Sequence, residues 1–110
     1  MKLVDVAPDG RAFNIEDGIL RARYRHGVEK PVLMNPGEVY ELKVDVHATS
    51  QYFAPGHRIR IEVSSSSFPR YERNLNTGGR NYDETVPVVA ENTVHHSARH
   101  PSYILLPVVP

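Results

Sequence analysis

The chain has 110 residues and no cysteine, and its 13 basic residues balance its 13 acidic ones. This length suits one domain, residues 1–110, with a single core. A formal net charge of zero argues against general nucleic-acid binding, which needs a basic footprint. No signal peptide is visible and no apolar run approaches a membrane span of roughly 20 residues, so we expect no membrane partner. Without cysteine there are no disulfides or thiolate ligands, and a cytoplasmic location is favoured.

The first predicted element in chain order is a β-hairpin. Residues 3–6 form a short strand, residues 8–10 (Pro-Asp-Gly) form the turn, and residues 11–15 form the return strand. Proline presets the turn dihedral, and glycine takes the positive-φ position that closes the hairpin. Residues 18–25 are ambiguous, because their alternation of apolar and basic side chains favours a strand, whereas a single helical turn near Glu16 and Asp17 is the alternative.

Two later segments alternate apolar and polar residues with a period of two, which is typical of half-buried strands. They are residues 39–48, the clearest element, and residues 58–64, in which the arginines would point outward. The predicted core residues of these strands are Val44, Val46, Ile59 and Ile61.

Residues 64–81 form a long connection, and residues 93–98 and 103–107 are two further predicted strands. Nine prolines and seven glycines separate these runs. This spacing is typical of an all-β protein, and we predict an antiparallel β-sandwich of jelly-roll type, complete or partial.

No residue pattern in the chain predicts catalysis or metal binding. A serine hydrolase needs a Gly-x-Ser-x-Gly elbow between a strand and a helix, and none occurs; the serines at 64–67 are interpreted as satisfying loop backbone groups. His95 and His96 would point to opposite faces of a strand, and Pro101 follows His100 closely, so we expect no metal site and no cofactor.

The basic residues allow two interpretations. A stripe of arginines could bind an anionic ligand; its members are Arg21, Arg23, Arg25, Arg58 and Arg60. Pairing with neighbouring carboxylates, such as Glu41, Asp45 or Glu62, is the favoured alternative.

The long connection contains the candidate interface, which consists of Phe68, Arg70, Tyr71, Arg73 and Asn74. Aromatic and arginine side chains are the usual anchors of protein interfaces. Exposed aromatics with asparagine would also suit a carbohydrate site. The structural alternative is that Phe68 closes the end of the sandwich while Asn74 shapes a turn.

Several segments, in order, are similar to those of a known accessory domain. The most specific block runs from Phe53-Ala54-Pro55-Gly56-His57 through Arg58 to Val63 and on to Asn74 and Gly79. The others are residues 5–12, 18–25, 36–40, 48–50 and 100–107. Together they resemble the C-terminal β-domain of the serine hydrolases related to X-prolyl dipeptidyl aminopeptidase, cocaine esterase and the cephalosporin glutaryl acylases.

The resemblance implies a non-catalytic C-terminal accessory β-domain that packs on an α/β-hydrolase catalytic domain, which would carry the Ser-Asp-His triad. A free-standing jelly-roll domain that binds carbohydrate is the alternative. The family's β-domain has further strands before its Pro-Asp-Gly hairpin, whereas almost nothing precedes the predicted hairpin at residues 3–15 here. An open sheet edge would result, so we expect the isolated chain to be a homo-oligomer.

Overall fold

A three-stranded antiparallel sheet is the centre of the fold. The computed structural model describes residues 1–80 and 82–109, with β1 at Lys2–Val6, β2 at Ala12–Asp17 and β3 at Arg58–Glu62. The strand order is β2-β1-β3, so β1 lies between two edge strands. Both pairings are antiparallel. The all-β class predicted from the sequence is therefore confirmed. Among the described residues, this sheet is the part of the predicted sandwich that forms.

The predicted hairpin is present, and its turn has the expected chemistry. Gly10 has a φ of 89°, a conformation that glycine adopts without a steric penalty, and its N–H donates to the Ala7 carbonyl at 2.9 Å. The β1–β2 register shifts by one residue between Leu3 and Val4, which marks a bulge in β2. β1 and β3 pair without a shift, from Lys2 opposite Glu62 to Val6 opposite Arg58.

The core lies on β1 and the residue that follows it, rather than on the later strands. Its buried apolar side chains are Leu3, Val4, Val6 and Ala7. The predicted core position of Ile59 is wrong, because this side chain is 50% exposed on an edge strand. Ile61 is half-buried, as are Val44 and Val46. A period-two pattern identifies the apolar face of a strand but not whether another layer covers that face.

Three of the predicted strands are absent from the residues that the structure describes. In residues 39–48, the Asp45 carboxylate accepts the His47 N–H at 2.9 Å, and His47 has a φ of 47°, which an extended strand cannot accommodate. Polar and apolar residues of this segment still differ in burial, since Val44 and Val46 are half-buried while Asp45 and His47 are exposed. Residues 93–98 and 103–107 join no hydrogen-bonded ladder, so the strand prediction is wrong for all three segments.

The ambiguous segment after β2 contains a 3-10 turn at Ala22–Tyr24 instead of the favoured strand. Arg25 stabilises this turn, because its guanidinium donates to the carbonyls of Ala22 at 3.0 Å and Val32 at 2.6 Å. Gly18 precedes the turn, and its backbone lies close to the backbone of Asp45. A methyl group at Gly18 would overlap the Asp45 carbonyl oxygen.

The chain divides into two compact units, the first at Met1–Asn74 and the second from Leu75 onward. The first contains the whole sheet. In the second, the Val88 N–H donates to the Leu75 carbonyl at 2.8 Å, and the Ser97 N–H donates to the His100 carbonyl at 3.2 Å. No helix within residues 1–80 and 82–109 is long and apolar enough to span a membrane.

Candidate interaction surface

The candidate interface lies in the long connection, where Arg70 and Tyr71 contact the end of β2. Asp17, the last residue of β2, has a side chain that is only 4% exposed. Its carboxylate accepts hydrogen bonds from the Arg70 guanidinium at 3.1 Å and from the Tyr71 hydroxyl at 3.4 Å. Arg21 pairs with Glu72 at 3.1 Å beside this contact. A buried carboxylate is costly unless it is paired, so Arg70 and Tyr71 have a structural role as well as a surface position.

Phe68 and Arg73 form the outer part of the same surface. The Arg73 guanidinium lies over the Phe68 ring at 4.9 Å from its centre, a cation–π geometry. Phe68 remains 64% exposed. A large apolar ring held in place by an arginine and left open to water is a typical anchor for a partner protein. Both the interface role of Phe68 and the alternative, in which Phe68 closes the end of the sandwich, stay predictions.

Serine hydroxyls shape the backbone that leads into this surface. The Ser64 hydroxyl donates to the Ser66 carbonyl at 2.8 Å, and the Ser66 hydroxyl accepts the Phe68 N–H at 3.3 Å. The peptide bond between Phe68 and Pro69 is cis. These contacts match the predicted structural role of the serines at 64–67. Asn74, the last residue of the candidate interface, is exposed and takes part in a further noncovalent interaction.

Sequence reasoning missed a polar cluster on the central strand. Asp5 has a side chain that is 6% exposed, and its carboxylate lies 2.8 Å from His57 Nδ1 and 3.2 Å from Gln51 Nε2. Asp5 lies opposite Phe13 in β2 and Ile59 in β3, and directly opposed residues share one face of the sheet. The available signal was Asp5, a charged residue between the apolar residues Val4 and Val6 of β1. The cluster fixes the segment before β3 onto the sheet.

The arginines of the predicted stripe contact different partners. Arg25 lies 4.6 Å from the centre of the Tyr40 ring, and Arg60 pairs with Glu62 at 2.7 Å. Tyr40 in turn donates a hydrogen bond to Glu38, and this bond, followed by one from Asn35, lowers the pKa of the Glu38 carboxyl. Arg21 pairs with Glu72, as already described. Carboxylate pairing, the favoured interpretation, thus describes Arg21 and Arg60.

The predicted histidine cluster, His95, His96 and His100, lies in the second unit. The rings of His95 and His100 are 5.4 Å apart, and the Ser102 hydroxyl donates to the His95 carbonyl. Among the residues that the structure describes, no three potential ligands are grouped for a metal ion.

The antiparallel sheet places the chain among the all-β domains. The chain belongs to the family of X-Pro dipeptidyl-peptidase C-terminal non-catalytic domains, which matches residues 1–105. This finding confirms the family resemblance and the non-catalytic accessory function predicted from the sequence.

Similar proteins extend the comparison. Cocaine esterase of Rhodococcus sp. (strain MB1 Bresler) is 51% identical over 110 residues, which cover 98% of this chain and 19% of that protein. A protein of Mycobacterium bovis (strain ATCC BAA-935 / AF2122/97), provisionally named serine esterase Mb1866c, is 30% identical over 125 residues, which cover 97% of this chain and 18% of that protein. The chain thus spans about a fifth of the length of these relatives.

Proposed function

We propose that residues 1–110 form the C-terminal β-domain of a serine hydrolase and pack on its α/β-hydrolase catalytic domain. The carrying observation is the match to a C-terminal non-catalytic domain family over residues 1–105. The parent's reaction would be acyl transfer from an ester to a serine, followed by hydrolysis. Esters are favoured over amides because the relatives at 51% and 30% identity are both named esterases.

The candidate interface is the surface that would contact the catalytic domain. Phe68 offers an exposed ring, and Arg73 lies over that ring, so both can be desolvated together on binding. Arg70 and Tyr71 would act differently, because their contacts with the buried Asp17 fix the backbone on which Phe68 is presented. Interface energy is concentrated in a few such aromatic and arginine residues.

The test is a binding assay between this chain and the α/β-hydrolase domain of the Rhodococcus relative, prepared without its own C-terminal region. We expect a stable complex by isothermal titration calorimetry. Phe68→Ala should weaken it by about 2 kcal/mol or more, the range of an interface hot spot. Tyr52→Ala is the matched control, since Tyr52 is an aromatic residue of the same unit that is even more exposed.

Equal effects of the two substitutions would reject the candidate interface. Absence of any complex with the unmodified chain would reject the proposed packing on a catalytic domain.

Activity provides a second test. The isolated chain should not hydrolyse activated esters, because it has no Gly-x-Ser-x-Gly motif. Turnover by the isolated chain that Ser66→Ala abolishes would contradict the accessory role.

A further inference from the structure

A buried carboxylate at the end of β2 supports the candidate interface without being part of it. The Asp17 side chain is only 4% exposed, so it has almost no surface left for a partner protein. One of its oxygens, Oδ1, accepts hydrogen bonds from the Arg70 guanidinium at 3.1 Å and from the Tyr71 hydroxyl at 3.4 Å. Arg70 also lies 5.6 Å from the centre of the Tyr71 ring. Two neighbouring residues of the long connection therefore converge on a single atom of the sheet.

The bulge in β2 determines which face of the sheet Asp17 occupies. Phe13 and Asp17 are four residues apart, so regular alternation would place them on the same face. The register shift breaks this alternation, because Phe13 lies opposite Asp5 whereas Asp17 lies opposite Lys2, which is on the other face of β1. Bulges re-aim side chains in this way and are enriched near functional sites. One extra residue in β2 thus brings the Asp17 carboxylate to the face on which it meets the long connection.

Local hydrogen bonds set the backbone around Phe68, and Asp17 ties that backbone to the sheet. The Phe68 N–H donates to the Ser66 hydroxyl at 3.3 Å, and the Tyr71 N–H donates to the Ser67 carbonyl at 3.1 Å. Both bonds lie within residues 66–71 and cannot fix this segment relative to β2. The bonds to Asp17 do so, and they hold the 64% exposed Phe68 ring at a defined position.

A second ion pair attaches the same segment but contributes less. Arg21 and Glu72 pair at 3.1 Å, and their side chains are 29% and 45% exposed. Exposed ion pairs contribute little because water screens them. Breaking a buried pair is far more costly, because it leaves a charge without compensation. We therefore expect Asp17 to be the dominant attachment of residues 68–72 to the sheet.

We propose that Asp17 is a positioning residue for binding of the catalytic domain, on which it acts only through Arg70 and Tyr71. A segment that is ordered before its partner arrives does not incur the cost of ordering side chains on association. This inference rests on the proposed function for the identity of the partner. The order of residues 66–72 in the free chain does not depend on that identity.

The binding test is Asp17→Asn in the calorimetric assay with the α/β-hydrolase domain of the Rhodococcus relative. Asparagine has nearly the same shape but no charge, so the charge-assisted bond to Arg70 is lost. Affinity should fall about tenfold, which corresponds to ordering one or two side chains on binding. Asp9→Asn is the matched control, because Asp9 is also paired with an arginine, Arg11 at 2.7 Å, but lies in the turn before β2. It should change affinity by less than about twofold.

The heat-capacity change of binding distinguishes a positioning residue from a contact residue. Phe68→Ala removes apolar area from the interface, so the heat-capacity change should become less negative. Asp17→Asn leaves that area intact and adds the ordering of residues 66–72 to the binding step. Its heat-capacity change should therefore be at least as negative as that of the unmodified chain.

Hydrogen exchange of the free chain tests the attachment without a partner. In Asp17→Asn the Tyr71 amide should exchange several-fold faster, while the amides of β1 keep their rates and show that the sheet is folded. Arg70→Met tests the same contact from its exposed side and provides the measurement if Asp17→Asn does not fold. Asp17→Asn combined with Arg70→Met should bind no more weakly than Arg70→Met alone, because Asp17 acts through Arg70.

Each outcome separates the positioning role from the proposed function. If the unmodified chain forms the complex and Asp17→Asn binds like Asp9→Asn, the positioning role alone is wrong. A heat-capacity change for Asp17→Asn that resembles that of Phe68→Ala would also overturn it, because Asp17 would then belong to the buried contact area. If the unmodified chain forms no complex, the proposed packing is wrong, and an unchanged Tyr71 exchange rate in Asp17→Asn would reject the attachment as well.

Discussion

Truncation of Leu3 gives the sharpest test of where the stability of this domain resides. Leu3 is 4% exposed on the central strand, opposite Ile61 of β3 and Glu16 of β2. Removing a buried leucine side chain loses its transfer free energy and leaves a cavity, for a total of about 2–5 kcal/mol. Because strands flank Leu3 on both sides and limit relaxation, we expect Leu3→Ala to cost about 3 kcal/mol of unfolding free energy.

Ile59→Ala is the informative comparison because Ile59 is also an aliphatic residue of the sheet but has a different environment. Ile59 is 50% exposed, so about half of its surface already contacts water in the folded state. Full burial of such a side chain contributes about 1.5–3 kcal/mol, and half burial therefore about 1 kcal/mol. Lys43→Ala is a surface control, since the Lys43 side chain is 87% exposed, and should change stability by less than about 0.5 kcal/mol.

The assay is equilibrium unfolding in urea, followed by circular dichroism at low micromolar concentration so that association does not contribute. The free energy of unfolding and the m-value are compared among the three variants, and the m-value should not change. A cost of Ile59→Ala equal to or larger than that of Leu3→Ala would refute the assignment of the core to β1.

Three further predictions concern packing, pH and association. Gly18→Ala should lower the unfolding free energy by about 1–3 kcal/mol, because its methyl group would overlap the Asp45 carbonyl oxygen, which is backbone and cannot rotate away. Gly79→Ala is the matched control, since a methyl group there would meet only a flexible side chain; equal costs in urea unfolding would contradict the packing. The backbone N–H of Arg11, and then its side chain, lower the pKa of the Asp9 carboxyl. The resulting stabilisation of the turn exists above the ordinary carboxyl pKa and is lost as pH falls through the lowered value; an Asp9 carboxyl midpoint at or above the ordinary value in an NMR titration would refute this. The isolated chain should self-associate by sedimentation equilibrium, and a strictly monomeric mass at high micromolar concentration would contradict that expectation.

The sequence determined those features that depend on neighbouring residues. The hairpin could be predicted because proline and glycine restrict the turn at residues 8–10, and β3 because apolar residues alternate through Arg58–Glu62. The family was recognisable because ordered motifs lie along the whole chain, and the comparison over residues 1–105 confirms it. The candidate interface was predicted from the composition of one loop, and its binding role stays a prediction.

Only the tertiary structure decided which residues are buried and which are paired across long distances. A period of two cannot distinguish a covered face from an open one, which is why Ile59 was expected in the core and is half-exposed on an edge strand. The contact between Arg70 and Asp17 joins residues 53 positions apart, and the one between His57 and Asp5 joins residues 52 apart. Such contacts depend on how the chain returns to the sheet, and no local propensity specifies them.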